Sequence, residues 1–216
     1  MSKSVGVLGS GVVAQALAAG FLSEGYDVMI GTREPGKLAS WQQSAGRLAK
    51  VGGFSEAARH GSLLVLAVKG TAAASVLDMA GSAELAGKVI IDACNPLADL
   101  PPEDGVLRFT TALDASLMED LQRRFPAARF VKAFSCVGNA HMVKPDFGGV
   151  KPTMFICGDD PQAKIAVSAV LDRFGWEVAD MGGAVSARAI EPLCMLWCIP
   201  GLLHGQWNHA FKLLKR

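Results

Sequence analysis

Val5-Gly6-Val7-Leu8-Gly9-Ser10-Gly11-Val12-Val13-Ala14 is the stretch on which the reading of the fold turns. Val5 to Leu8 is an apolar run of strand length. Gly9-Ser10-Gly11 is a turn bracketed by glycines, and an apolar helical pattern follows through Leu17 and Phe21. A strand passing through such a turn into a helix opens a dinucleotide-binding βαβ unit. Gly9 permits the tight reversal, Gly11 lets backbone approach a pyrophosphate, and Ala14 stands where helix packs on strand. The helix start at Val12 and Val13 then offers free N–H groups and the positive end of a dipole.

The second strand, Asp27-Val28-Met29-Ile30, closes on Gly31-Thr32-Arg33. An enzyme for the unphosphorylated coenzyme places an acid here, about twenty residues past the glycines, to hold the ribose 2′-hydroxyl. This chain has a hydroxyl at Thr32, a guanidinium at Arg33 and an ammonium at Lys37, with Glu34 the one nearby carboxylate. Arg33 suits a 2′-phosphate through charge-assisted hydrogen bonds, and the cofactor expected is NADP(H). The competing reading is a glycine turn in an ordinary α/β core with a solvated arginine.

Composition bounds the rest. The chain has 216 residues, half of them apolar and 19% charged, with a net charge of +1. That profile fits a compact core, and no global field draws the chain to nucleic acid or membrane. Lys212 and Lys215-Arg216 are expected to complement a helix C-terminus. The expected setting is cytoplasmic: Met1-Ser2-Lys3-Ser4 leads directly into the first strand, and stretches such as Leu193–Leu203 read as too short or interrupted to span a bilayer. The five cysteines are odd in number and scattered. Cys194 and Cys198 are spaced i, i+4, but no paired motif supports zinc, so free thiols and no metal are expected.

Strand and helix patterns alternate along the chain. A helix is expected from Pro35 through Ala49 and another from Ser55 to His60. A strand of Leu63-Leu64-Val65-Leu66 follows, apolar on both faces, then a helix from Thr71 to Ala80 and a strand from Lys88 to Asp92. After a proline-rich loop come a helix from Ala115 to Phe125 and a strand from Phe130 to Phe134. Asp146 to Lys151 is the best boundary, dividing residues 1–147, a dinucleotide-binding domain, from 148–216, a smaller segment that completes the acceptor pocket. That segment is expected to hold strands at Met154–Gly158 and Trp176–Asp180 and a helix from Pro161, capped by Asp160, to about Phe174. A helix from Ser186 to Ile199, kinked at Pro192, precedes a last one ending near Lys215. The fold class is α/β and Rossmann-type, a mainly parallel sheet with helices on both faces and a small C-terminal α/β extension.

With these residues placed, the chain resembles the NADPH-dependent F-420 reductase family (coenzyme F-420-dependent NADP oxidoreductases). It is also similar to the soluble reductase domain of the six-transmembrane metalloreductases. The matching stretches are Val7–Ala14, Gly31-Thr32-Arg33 with Lys37, Ile91–Leu97, Val131–Phe134, Cys157–Asp160 with Ala163-Lys164, and Asp180–Gly183 leading to Glu191. The resemblance implies that the glycine turn with Thr32, Arg33 and Lys37 holds the adenosine and its 2′-phosphate. It also implies that Ala67-Val68-Lys69 and Asn95-Pro96 lie by the nicotinamide half. Ala133, Phe134, Ser135, Cys136 and Val137 would line a pocket for a flat hydride acceptor, a flavin or the deazaflavin F-420, and a homodimer is implied as well. Deazaflavin users carry a Pro-Trp type pair at the position of Val68-Lys69 and a His-Thr-Ile-Pro-like run at Ala133–Gly138. Phe134-Ser135 is closer to the metalloreductase version, which reduces a flavin.

Hydride transfer between two such rings needs alignment more than acid–base groups, and no catalytic side chain is assigned. Lys132 and His141 are candidates for a base, against readings as an edge or pocket-lining lysine and a satisfied histidine. Asp92 reads as a buried structural carboxylate. Lys69 is open between a phosphate contact and an anionic acceptor tail. His204 and His209 read as packing residues, and Trp197 as apolar core, dimer surface or a cover over the acceptor. Two other functions compete: a reductase of a small metabolite, which would normally carry a longer helical region, and a non-catalytic NADP(H)-sensing binding protein.

Overall fold

A computed structural model of the chain describes residues 3–215. Strand β1 (Ser4–Leu8) leads into α1 (Val12–Ser23), then β2 (Asp27–Gly31), a 3-10 turn (Pro35–Leu38), α2 (Ala39–Ala45), β3 (Ala49–Gly52) and α3 (Phe54–His60). β4 (Leu63–Leu66), α4 (Gly70–Ala80), α5 (Ser82–Leu85), β5 (Val89–Asp92), α6 (Leu117–Arg124) and β6 (Arg129–Lys132) complete the first sheet. β7 (Thr153–Ile156), α7 (Pro161–Arg173) and β8 (Glu177–Asp180) follow, and α8 (Ala187–Ile190) and α9 (Leu193–His204) end the helical part.

The first sheet has six parallel strands in the order β3-β2-β1-β4-β5-β6. The order reverses between β1 and β4, so a crevice opens at their carboxyl ends, where such folds bind nucleotides. Alternate residues explain why the central strands are apolar throughout. Val65, Ile91 and Val131 face α1 and α7 in one core cluster. Leu64, Leu66, Ile90 and Phe130 face α3, α4 and α6 in the other. In the middle of the sheet neither face meets water, and each such side chain contributes roughly 1.5–3 kcal/mol of burial.

β7 and β8 form a second parallel pair. It is joined to the first sheet by an antiparallel bridge in which Lys132 N donates to the Cys157 carbonyl at 2.9 Å. Residues 146–152 are irregular, yet Met154, Ile156, Val167 and Trp176 share one core with Phe21, Val131 and Phe134.

Several expectations need correction. The helix from Pro35 does not reach Ala49. It stops at Ala45, where Gly46 turns with a φ of 87°, and the chain enters the edge strand β3. That strand offers only Ala-Lys-Val-Gly, too short and mixed to read as a strand. Helix α3 begins at Phe54, with Glu56 accepting the Gly53 amide at 2.6 Å, so Gly53 and not Ser55 takes the cap position. β6 ends at Lys132 rather than Phe134, because Phe134 turns with a φ of 61°. Pro192 precedes a helix instead of kinking one, and Pro200-Gly201 lies inside α9.

Among the described residues no last helix forms near Lys215. α9 ends at His204, and Gly201 has no room for a side chain because the Trp207 ring folds back against it. The tail then runs beside β7, with Thr153 N donating to the Phe211 carbonyl at 2.8 Å. Lys212 therefore complements no helix end; it pairs with Glu177 at 2.7 Å. Arg216, the end of the basic run, lies outside the described residues.

The apolar C-terminal stretch is also less interrupted than expected. Ala184–His204 runs 21 residues with a mean hydropathy of 1.2, long and apolar enough by composition to cross a membrane. It is nonetheless tied into the fold: Arg188 pairs with Glu119 at 2.7 Å and Glu191 with the buried Lys132 at 2.7 Å.

Candidate functional site

The glycine turn sits where the sheet order reverses. Gly9 has a φ of 133°, and a Cβ there would collide with the Ala67 carbonyl oxygen, so both conformation and space demand glycine. Gly11 differs. A Cβ added to it would touch no protein atom within 4 Å, leaving open space above the turn for a ligand. Helix α1 starts there with no side-chain cap and no acid in its first turn, so its leading N–H groups remain available to an anion. Ser10 lies at the side of this opening, Val12 is exposed and Val13 half-buried. Ala14 is fully buried against the sheet.

The end of β2 supplies the cations. Thr32 is buried; its hydroxyl donates to Ser10 Oγ at 3.2 Å and accepts from Glu34 N at 3.3 Å. It thereby ties the glycine turn to the following turn. Arg33 is exposed and takes part in no ion pair among the described residues. Lys37 is paired with Glu34 at 2.9 Å, and this hydrogen bond and charge hold the Glu34 carboxyl below its usual range. The Glu34 carboxylate beside Arg33 is thus already matched to a cation. These residues fit an adenosine 2′-phosphate: open backbone at Gly11, an uncapped helix start and an uncommitted guanidinium.

The other end of the crevice is built from the turns after β4, β5 and β6. Ala67 is buried, Val68 half-buried and Lys69 exposed, with Lys69 committed to an ion pair with Asp99. Asn95 and Pro96 follow β5. Asn95 Nδ2 donates to the Ser135 carbonyl at 3.1 Å, joining the two turns. Ala133, Phe134, Ser135, Cys136 and Val137 are all buried. The Phe134 ring lies in the core 6.4 Å from Phe174 rather than on an open surface. Trp197 covers Gly138, where a Cβ would strike its ring, and stacks on His209 at 5.0 Å. His209 and Trp197 also exchange hydrogen bonds through their backbone carbonyls, both at 2.9 Å. His141 is half-buried with its ring 5.2 Å from Phe147.

Lys132 corrects the sequence reading. It lies on β6, the outer strand of the first sheet, yet it is fully buried and lines no open pocket. Its ammonium lies 2.6 Å from Asp92 and 2.7 Å from Glu191, and donates to the Cys94 carbonyl at 2.8 Å. The two carboxylates hold its pKa above the usual lysine value against the opposing effect of burial. Asp92 is fully buried on Lys132 and the Cys94 amide, in keeping with its reading as a structural carboxylate rather than a base. Glu191 accepts from Leu117 N at 3.0 Å and Met118 N at 3.1 Å, capping α6 from the far end of the chain. Sequence reasoning missed this triad because its members are 40 and 59 residues apart, with only the apolar neighbours of Lys132 as a hint.

All five cysteines are free thiols. Burial pushes Cys136 and Cys157 up to about 12, so both are protonated at neutral pH. Among the described residues no three His, Cys, Asp or Glu side chains gather as a metal site.

A parallel Rossmann sheet with a phosphate turn and an arginine after β2 defines a class of NADP-dependent oxidoreductases, and comparison with known proteins agrees. Residues 4–96 match the family described as NADP oxidoreductase, coenzyme F420-dependent. A crystal structure from Arthrobacter sp. FB24, provisionally named an F420 dependent NADP-reductase, is 30% identical, superposes with a TM-score of 0.91, and is covered completely by this chain, itself covered completely. Metalloreductase STEAP3 of Rattus norvegicus is 34% identical over 206 residues, 94% of this chain but 39% of the relative. The chain thus spans about two fifths of that curated relative. An imine reductase of Streptomyces aurantiacus, 21% identical over 93% of this chain and 63% of its own, shares the fold with a TM-score of 0.67. The chain belongs to the F420-dependent NADP oxidoreductase family.

Proposed function

We propose that the chain binds NADP(H) across the ends of β1, β2, β4 and β5 and passes hydride to a flavin or deazaflavin ring. Gly9, Ser10, Gly11, Val12 and Val13 hold the pyrophosphate, and Thr32, Arg33 and Lys37 the 2′-phosphate. Ala67, Val68, Lys69, Asn95 and Pro96 flank the nicotinamide, and the turn from Ala133 to Val137 walls the acceptor side. When bound, the reduced nicotinamide supplies the hydride; the protein's part is to align two rings and exclude water.

One observation carries this reading over a metabolite reductase. Reduction of a carbonyl or imine needs a proton donor at the open site. Lys132, the lysine best placed by sequence to be one, is sealed between Asp92 and Glu191 and reaches no solvent. A flat ring that takes hydride needs no such group from the protein. A second copy of the chain is the partner proposed, seated on the exposed Leu196, Leu202, Leu203 and Trp207. The free thiols suit a reducing, cytoplasmic setting.

The test is NADPH oxidation against a panel of FMN, FAD, deazaflavin, ferric chelates, and simple imines and ketones. Turnover with a flavin or deazaflavin and none with the imines or ketones is expected. Turnover only with an imine or ketone would favour the metabolite reductase, and NADPH binding without any turnover the sensing protein.

A further inference from the structure

Lys132, Asp92 and Glu191 form a buried ionic cluster that does more than join strands. Asp92 Oδ1 accepts from Cys94 N at 2.9 Å, while Lys132 Nζ donates to the Cys94 carbonyl at 2.8 Å. Both peptide groups of Cys94 are therefore gripped by one ion pair. The next residue, Asn95, is fixed twice more. Its side chain donates to the Ser135 carbonyl, and its own carbonyl presses on Gly70, where no Cβ would fit. Glu191 completes the device from the C-terminal segment: the same carboxylate holds Lys132 and the first amides of α6.

We infer that Lys132, clamped by Asp92 and Glu191, is a positioning residue that sets the Cys94–Asn95 turn against the nicotinamide half of the cofactor. This rests on the proposed placement of Asn95 and Pro96 beside that half. The chemistry favours a rigid device here. Hydride transfer falls steeply as the reacting rings move apart, so the turn beneath the nicotinamide has to be held within a fraction of an ångström. A buried ion pair is a costly way to gain stability, but one whose members also hold neighbouring peptide groups fixes a single arrangement. The cluster touches neither the glycine turn nor Arg33, so its influence falls on one end of the cofactor.

Glu191→Gln tests this, because it preserves shape while removing the charge and one acceptor. Affinities for NADPH and for 2′,5′-ADP, which carries the phosphates of the adenosine end without nicotinamide, are measured by calorimetry on wild type and variant. Cooperative thermal unfolding establishes that the variant is folded. The expected result is 2′,5′-ADP affinity unchanged within about twofold and NADPH affinity weakened at least fivefold. Unchanged affinity for both ligands, or equal loss for both, would overturn the inference. Should Glu191→Gln not unfold cooperatively, Asp92→Asn is judged by the same outcomes. A wild-type chain that fails to bind 2′,5′-ADP would instead overturn the NADP(H) reading, and the positioning role with it.

Discussion

The two ends of the crevice are built on opposite plans. At the adenosine end the groups that matter face outward: Gly11 has nothing above it, α1 begins uncapped, and Arg33 is exposed without an ion-pair partner among the described residues. At the nicotinamide end the charges are turned inward, with Lys132, Asp92 and Glu191 satisfying one another beneath the turn. The first end is poised to gain its interactions from a ligand. The second has already made them within the protein. Substitutions of the outward-facing groups should therefore cost binding alone, whereas removing the buried cation should cost stability.

The sharpest contrast comes from Lys132→Met. It leaves two carboxylates buried without their cation and should cost about 3–5 kcal/mol of stability, read by urea unfolding. A loss below about 1 kcal/mol would show that the triad is not an energetic unit. Next come the two glycines. Gly9→Ala forces an L-residue to a φ of 133° and into the Ala67 carbonyl, so it should lose about 1–3 kcal/mol of stability from the backbone alone. Gly11→Ala should leave the unfolding midpoint nearly unmoved and weaken NADPH, because the space it fills belongs to the ligand. If the pair behaved alike in unfolding, the turn would not be divided as described.

Arg33→Ala is expected to leave stability alone and to weaken NADPH by about 1.5–3 kcal/mol, with NADH untouched; titration of both coenzymes checks it. The smallest effect concerns thiols. In the native protein at pH 8, Cys136 and Cys157 should resist a disulfide reagent, since burial holds both near 12. Cys198 should label first, because a hydrogen bond from Cys194 draws its pKa below the usual thiol value. Early labelling of Cys157 would mean that the junction between the two sheets opens.

Much of the first end was legible in sequence because its determinants are local. Glycines, strand and arginine lie within a single βαβ unit, and the turn at Gly9 is dictated by its own backbone and the neighbouring Ala67 carbonyl. The sheet was legible for a related reason: strands apolar on both faces, such as Leu63–Leu66, can sit only between two helical layers. β3 escaped because an edge strand of four residues buries little, and its two buried residues, Ala49 and Gly52, look no different from helix and loop. The triad escaped because it is defined by contact across the fold. Glu191 carried no local sign that it would cap α6 and reach Lys132. The tail misled for the same reason, since Pro200 sits within a helix that Trp207 and the β7 edge hold in place.

The central claim is that Arg33 and its neighbours are shaped for a 2′-phosphate, and comparing the dissociation constants of NADPH and NADH for the unaltered protein tests it most directly. Preference for NADPH by roughly 10-fold to 150-fold is predicted, the ratio that corresponds to about 1.5–3 kcal/mol of charged hydrogen bonding. Equal affinity for the two coenzymes would contradict it.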